Sequence, residues 1–200
     1  MPKAVTGLVA AAVLVAVLAL AGCANLKTPA QEALGAVESA FAAVRDEASR
    51  YAPDQMATIS QAIDGLRNAF TKGEFQKVID DAKGVTSQID GLKGVIESNK
   101  AMLQGQWNDM VAGLPGVVEA IQGRMDILSQ AKKLPDGMTK DDLAAAVTSL
   151  DGLKQAWTRA TQSFDGGDLM GAVTSGGEVK KAAAELMTKL GMEVPAALAN

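Results

Sequence analysis

The chain has 200 residues, with 19 Lys and Arg against 23 Asp and Glu, a formal net charge of −4 and no His. An acidic balance without a basic stripe excludes a protein that tracks nucleic-acid phosphates, and a chain without His lacks the commonest metal ligand and the commonest acid–base catalyst at neutral pH. Aromatic residues make up only 4% against 48% hydrophobic residues overall, so any core is built from small aliphatic side chains, which favours closely packed helices.

Met1-Pro2-Lys3 supplies one positive charge, and Ala4 to Ala21 is apolar apart from Thr6 and Gly7. This is the charged-then-apolar order of a secretory signal. Some 18 apolar residues come close to the length of a membrane span, but the segment is rich in Ala and Gly, which contribute little transfer energy. The stretch Leu20-Ala21-Gly22-Cys23 resembles the bacterial lipobox, in which small residues admit the peptidase and the Cys thiol takes the lipid. The resemblance implies a signal peptide over 1–22, cleavage before Cys23, and a lipidated tether over 23–28. One acyl chain such as palmitate binds a membrane only marginally, at about 0.8 kcal/mol per buried methylene, whereas two or three anchor stably. Ala24, where an Asp would stand in an inner-membrane lipoprotein of the enteric type, implies the inner leaflet of an outer membrane, facing the periplasm. Cleavage would leave 178 residues with 18 basic and 23 acidic side chains, and the sole Cys would be consumed by lipid, so no disulfide is expected.

Beyond the tether, Thr28-Pro29-Ala30-Gln31 reads as a capped helix start. Leu34, Val37, Phe41, Val44, Ala48 and Tyr51 then recur at steps of three and four, and Pro53 ends the run. Met56, Ile59, Ile63, Leu66 and Phe70 predict a second helix, closed by Lys72-Gly73. Phe75, Val78, Ala82, Val85, Ile89, Leu92 and Ile96 predict a third. Leu103, Trp107 and Met110 carry the pattern toward Pro115 across Asn99 and Gln106, as a continuation or as a kinked fourth segment. Val118, Ile121, Met125 and Leu128 form another stripe, ending at Leu134-Pro135-Asp136-Gly137. Thr139 caps the next helix, with Asp141 and Asp142 in its first turn; Leu143, Ala146, Leu150, Leu153, Trp157, Ala160 and Phe164 follow. After Asp165-Gly166-Gly167 come Leu169, Val173, Val179, Leu186 and Leu190. Residues 193–200 show no periodicity and are expected to fray. No segment has the alternation of a half-buried strand, so the expected fold is all-α.

The chain also repeats itself. Asp64-Gly65-Leu66-Arg67-Asn68-Ala69-Phe70 matches Asp151-Gly152-Leu153-Lys154-Gln155-Ala156-Trp157, Gly73-Glu74-Phe75 matches Gly167-Asp168-Leu169, and the Pro-Asp of 53–54 matches that of 135–136. Two tandem three-helix units are expected, 29–98 and 115–191, joined by a helical connector 99–114 and followed by a flexible tail 192–200. They would form one antiparallel helical bundle or a short stack of helical hairpins. Ala52-Pro53-Asp54, the helix after it and Gly73-Glu74-Phe75 with Val78 resemble the Ala-rich hairpins of uncharacterised envelope lipoproteins, and more distantly tetratricopeptide hairpins. The second unit departs by placing Ser175-Gly176-Gly177 inside its last helix. The resemblance implies a non-catalytic envelope protein and carries over no functional residues.

Asp80-Asp81 and Asp141-Asp142 are adjacent carboxylates, but helical neighbours diverge by about 100°, so both pairs read as solvated surface or helix-dipole complements rather than metal sites. The glycine doublets lack the context of a phosphate loop, and no Ser has a His partner. Asp-Gly-Leu at 64–66, 90–92 and 151–153 reads either as close helix packing or as tolerance of Gly. Nine Met residues suit core filling or an adaptable surface. Trp157 holds a stripe position and is expected in the core, whereas Trp107, with Met102 and Met110, is the candidate interface. No catalytic residue, cofactor or metal ligand is expected, and the chain does not read as an enzyme. The expected function is a membrane-anchored scaffold or interaction module that binds an envelope protein through an apolar groove between its two units. The alternative is a binding protein for a lipid or hydrophobic small molecule.

Overall fold

A computed structural model describes the backbone of residues 5–198 and the side chains of residues 26–198; the expected signal peptide's side chains and Cys23 lie outside the described residues. The protein is all-α, with five α-helices and no strand among the described residues. These are α1 (Val5–Tyr51), α2 (Pro53–Thr71), α3 (Phe75–Gln130), α4 (Lys140–Asp165) and α5 (Leu169–Lys189), followed by a single 3-10 turn at Ala196–Leu198. The chain divides into two compact units, Met1–Asn99 and Lys100–Asn200.

Unit 1 joins α1, α2 and the first part of α3. Its seam is the expected aliphatic one: Val37 and Ala48 of α1, Ile59, Ile63 and Leu66 of α2, and Val85, Ile89 and Leu92 of α3 form one buried cluster. The helix directions follow from which ends meet. Ala30, Ala69 and Val78 pack together at one end, while at the other Asn99 Nδ2 donates to the Tyr51 carbonyl at 2.6 Å. Thus α1 and α3 run parallel here with α2 antiparallel between them. Asn99 breaks the apolar seam because it satisfies a carbonyl that the end of α1 leaves without an intrahelical donor.

Unit 2 repeats the plan with the rest of α3, α4 and α5. Leu114, Ile121 and Met125 of α3, Leu150 and Leu153 of α4, and Val179, Ala183 and Leu186 of α5 make its main cluster. Arg124 Nε donates to the Leu190 carbonyl at 3.2 Å, closing the end of α5.

The two plans agree residue by residue. Gly73 (φ +79°) and Gly167 (φ +82°) occupy the left-handed position that favours glycine. Both hairpins close with the same two bonds, Gly73 N to Phe70 O and Glu74 N to Ala69 O in one, Gly167 N to Phe164 O and Asp168 N to Ser163 O in the other. At that same spacing Ile59, Leu66, Val78, Val85, Leu92 and Ile96 fall on Leu153, Ala160, Ala172, Val179, Leu186 and Leu190, and each of these side chains is buried. Likewise Ala30, Val37 and Ala48 of α1 fall on the buried Trp107, Leu114 and Met125 of α3 at a constant shorter spacing.

Several expectations need correction. Thr28 is not a helix start, because α1 runs through Pro29; Ala30, one residue on, is fully buried between the other two helices and holds the chain helical there. Of the two readings of 99–114, the structure takes the continuation, since α3 runs on through Pro115 and Trp107 and Leu114 are buried. Of the three repeat anchors, only the glycine hairpin aligns. The two Asp-Gly-Leu motifs differ from that register by seven residues, two helical turns, which keeps the face but not the level. Pro53 begins α2, whereas Pro135 lies in the loop before α4. The tail does not hang free: Leu198 is buried, and Met192 and Val194 pack beside it on the unit 2 core. Nor do the Asp-Gly-Leu glycines serve close packing, as a Cβ at Gly65, Gly91 or Gly152 would meet no atom within 4 Å.

The start of α4 is the capping box that the sequence implies. The Asp142 backbone N–H donates to Thr139 Oγ1 at 3.1 Å, and the Thr139 N–H donates to Asp142 Oδ2 at 2.9 Å. Hydrogen bonds from the Thr139 hydroxyl and backbone hold the Asp142 carboxyl below its usual range. Thr139→Ala is expected to cost about 1 kcal/mol in urea unfolding followed by circular dichroism. Because the folded-state pKa of Asp142 is lowered, its contribution is complete above the ordinary carboxylate range and disappears as pH falls through the lowered value. The deficit of Thr139→Ala therefore narrows in strong acid. Replacing the open-space Gly91 by Ala is expected to raise stability by up to about 1 kcal/mol in the same assay.

Candidate interface: apolar grooves of the second unit

Of the residues singled out by sequence, Cys23 lies outside the described side chains. The three interface candidates separate. Met102 is exposed at 56%. Met110 is half-buried and touches both apolar clusters of unit 2. Trp107 is the correction: at 3% exposure it is a core residue, stacked on Trp157 (ring centroids 5.2 Å apart) and on Phe164 (5.0 Å). Trp157 is the more exposed of the two indoles, the reverse of the expectation.

Trp107 fits because its neighbours have shrunk. A Cβ at Gly176 would come within 2.6 Å of Met110 Sδ and 3.6 Å of Trp107 Cζ3. At matching positions unit 1 has Ala30, Ala33 and Ile63 where unit 2 has Trp107, Met110 and Trp157, and Leu66, Val78 and Ala82 where unit 2 has Ala160, Ala172 and Gly176. Three side chains grow and three shrink, so the small residues make room for part of the added volume, and the half-buried Met110 and Trp157 carry the rest toward the surface.

Two open apolar grooves are lined wholly by residues of unit 2. The smaller, of about 420 Å³, lies beneath the α3–α4 loop, with Met125, Leu128, Leu134, Leu143, Val147 and Leu150 as its apolar lining and Asp126, Lys140 and Asp151 as its charged members. The larger, of about 1360 Å³, runs between α3 and α5, floored by Met110, Leu114, Val117, Val173 and Ala184 and ended by Pro195, Ala197 and Leu198. Two lysines, Lys180 and Lys181, and two carboxylates, Asp109 and Glu185, border it. Sequence reading missed this groove. Thr174, Gly177 and Ala184 stand where unit 1 has the exposed, charged Asp80, Lys83 and Asp90, while Lys180, Lys181 and Glu185 stand where it has Thr86, Ser87 and Gly91.

The adjacent carboxylates part company as helical geometry requires. Asp80 accepts from Gln76 and Lys83, and these bonds, led by that of Gln76, lower its pKa. Asp81 instead pairs with Lys77 at 2.6 Å, and that bond raises the pKa of the Lys77 ammonium. Arg67 bridges Glu38 on α1 and Asp64 on its own helix, and both bonds raise its pKa. Among the described residues no side chain that is polar or charged is buried, and no three His, Cys, Asp or Glu converge as metal ligands would. Among residues 26–198, no stretch of helix is long and apolar enough to cross a membrane. What the described surface offers chemically is apolar contact area with neutral-to-mixed charge at its edges.

Trp107→Ala is expected to destabilise the protein by about 3–5 kcal/mol, whereas Met102→Ser on the exposed surface changes stability by less than about 0.5 kcal/mol. Thermal and urea unfolding of the two variants checks both.

No protein-family model, curated protein or solved structure matches this chain.

Proposed function

We propose that the protein is a lipid-anchored envelope lipoprotein, tethered through Cys23, whose helical units serve as a non-catalytic module that docks another envelope protein. The anchor rests on the amino-terminal sequence: one Lys, an apolar run, and the small residues Ala21 and Gly22 before the only Cys. The docking role rests on one observation, the large open groove of unit 2 with its apolar floor. A closed carrier would enclose its ligand and bury most of the ligand surface. An open groove instead leaves apolar surface in water unless a partner covers it, and such surface marks interaction sites. The inner leaflet of an outer membrane remains the location that Ala24 favours.

A second reading, a binder of hydrophobic small molecules, draws on the groove beneath the α3–α4 loop. Its volume of about 420 Å³ falls within the size range of ligand sites, roughly 300–1,000 Å³.

Mass spectrometry of the protein extracted from membranes tests the anchor. An amino-terminal Cys23 bearing two or three acyl chains is expected, and Cys23→Ser is expected to move the protein out of the membrane fraction. An intact Met1 removes the anchor and the location with it. A protein cross-linked in stoichiometric amount at the large groove supports docking, whereas a co-extracted hydrophobic molecule in the small groove supports the second reading.

A further inference from the structure

One end of the large groove of unit 2 is closed by an apolar segment of the chain itself. Beyond α5 the backbone reverses at Gly191, φ +67°, and the returning segment places Pro195, Ala197 and Leu198 in the groove lining. Leu198 is 8% exposed and joins the unit 2 core cluster.

The three-helix plan does not require this segment. Unit 1 reproduces the burial register of unit 2, yet at Ile96, the counterpart of Leu190, α3 simply continues. Unit 1 therefore acts as an internal control for the returning segment, which is added to a fold that stands without it.

We propose that this groove is a peptide-docking site for a short apolar segment of a protein partner, and that the chain's own residues 192–198 are a strap that fills one end until such a segment displaces it. The proposal rests on the reading of the protein as a docking module. The strap reveals the chemistry that the groove accepts. It offers an aliphatic side chain for the core, a Pro that brings no N–H needing a partner, and small Ala residues that let backbone lie close to the helices. Two lysines and two carboxylates around the groove sum to no net charge, which favours a neutral peptide over an anionic amphiphile such as a fatty acid.

A fluorescent synthetic peptide of residues 192–200 is the probe, and its binding to the full chain is read by anisotropy. The expected result is affinity at least about tenfold higher for the Leu198→Ala chain than for the unsubstituted chain, the difference reflecting release of the competing strap. Val194→Asp, at a half-buried strap position packed on the unit 2 core, is the second variant in case Leu198→Ala loses helicity, and it too is expected to bind more tightly than the unsubstituted chain. Replacing the Leu of the peptide by Ala, or adding Gly113→Phe within the groove, is expected to abolish binding while helicity is kept. Equal affinity for strap-weakened and unsubstituted chains overturns the proposal. So does no peptide binding to a folded strap-weakened chain, or palmitate binding where the peptide does not. None of these readouts involves Cys23, so their failure leaves the membrane anchor standing, and loss of the anchor leaves them unaffected.

Discussion

Every side chain buried among the described residues is apolar, and this constraint governs the rest of the protein. With few aromatic rings available, each unit depends on aliphatic seams in which a fully buried Val, Leu or Ile contributes about 1.5–3 kcal/mol. The exposed pairs of Arg67, Lys77, Lys83 and Lys93 with their carboxylates add little by comparison. A core without polar groups also leaves helix ends as the places where backbone hydrogen bonds must be completed from outside the helix. Asn99 and Arg124 do so for α1 and α5, and Thr139 and Asp168 do so at the starts of α4 and α5.

Local features were the legible ones. Periodicity located the seam residues, and the capping box at Thr139 and the glycine turns at Gly73 and Gly167 stand where their chemistry puts them. The misreadings came where a distant contact overrides a local rule. Pro29 looks like a helix start, yet Ala30 is clamped between two other helices. Pro115 looks like a break, yet Leu114 beside it is almost wholly buried in the unit 2 core. Asn99 looks like a flaw in the seam until the carbonyl of Tyr51 is brought to it. Trp107 packs against Ala160 and Ala172, more than fifty residues away, and nothing in the sequence around position 107 announces that these partners are small.

The groove was illegible for a related reason. A groove is a property of facing surfaces rather than of one stretch of chain. Once the register is drawn through the glycine hairpins, Asp80, Lys83 and Asp90 oppose Thr174, Gly177 and Ala184, while Thr86, Ser87 and Gly91 oppose Lys180, Lys181 and Glu185, so the charges sit at different places on the two faces. The internal match of Asp-Gly-Leu motifs obscured it, because a seven-residue slip preserves the face of a helix and so looks correct in any test of periodicity.

The exchange of volume around Gly176 bears on how such a protein changes over generations. Trp107 packs on the small Ala160 and Ala172, and a Cβ at position 176 would press on Met110 beside it. Met110 supplies the give, because its thioether bends more readily than a ring. Substitutions at these sites are thus conditional on one another, and an exchange harmless in one background is damaging in the next. The two units of one chain record both ends of such a path, with Ala30 and Ala82 at one and Trp107 and Gly176 at the other. Any lineage carrying this fold is expected to change these positions as a linked set.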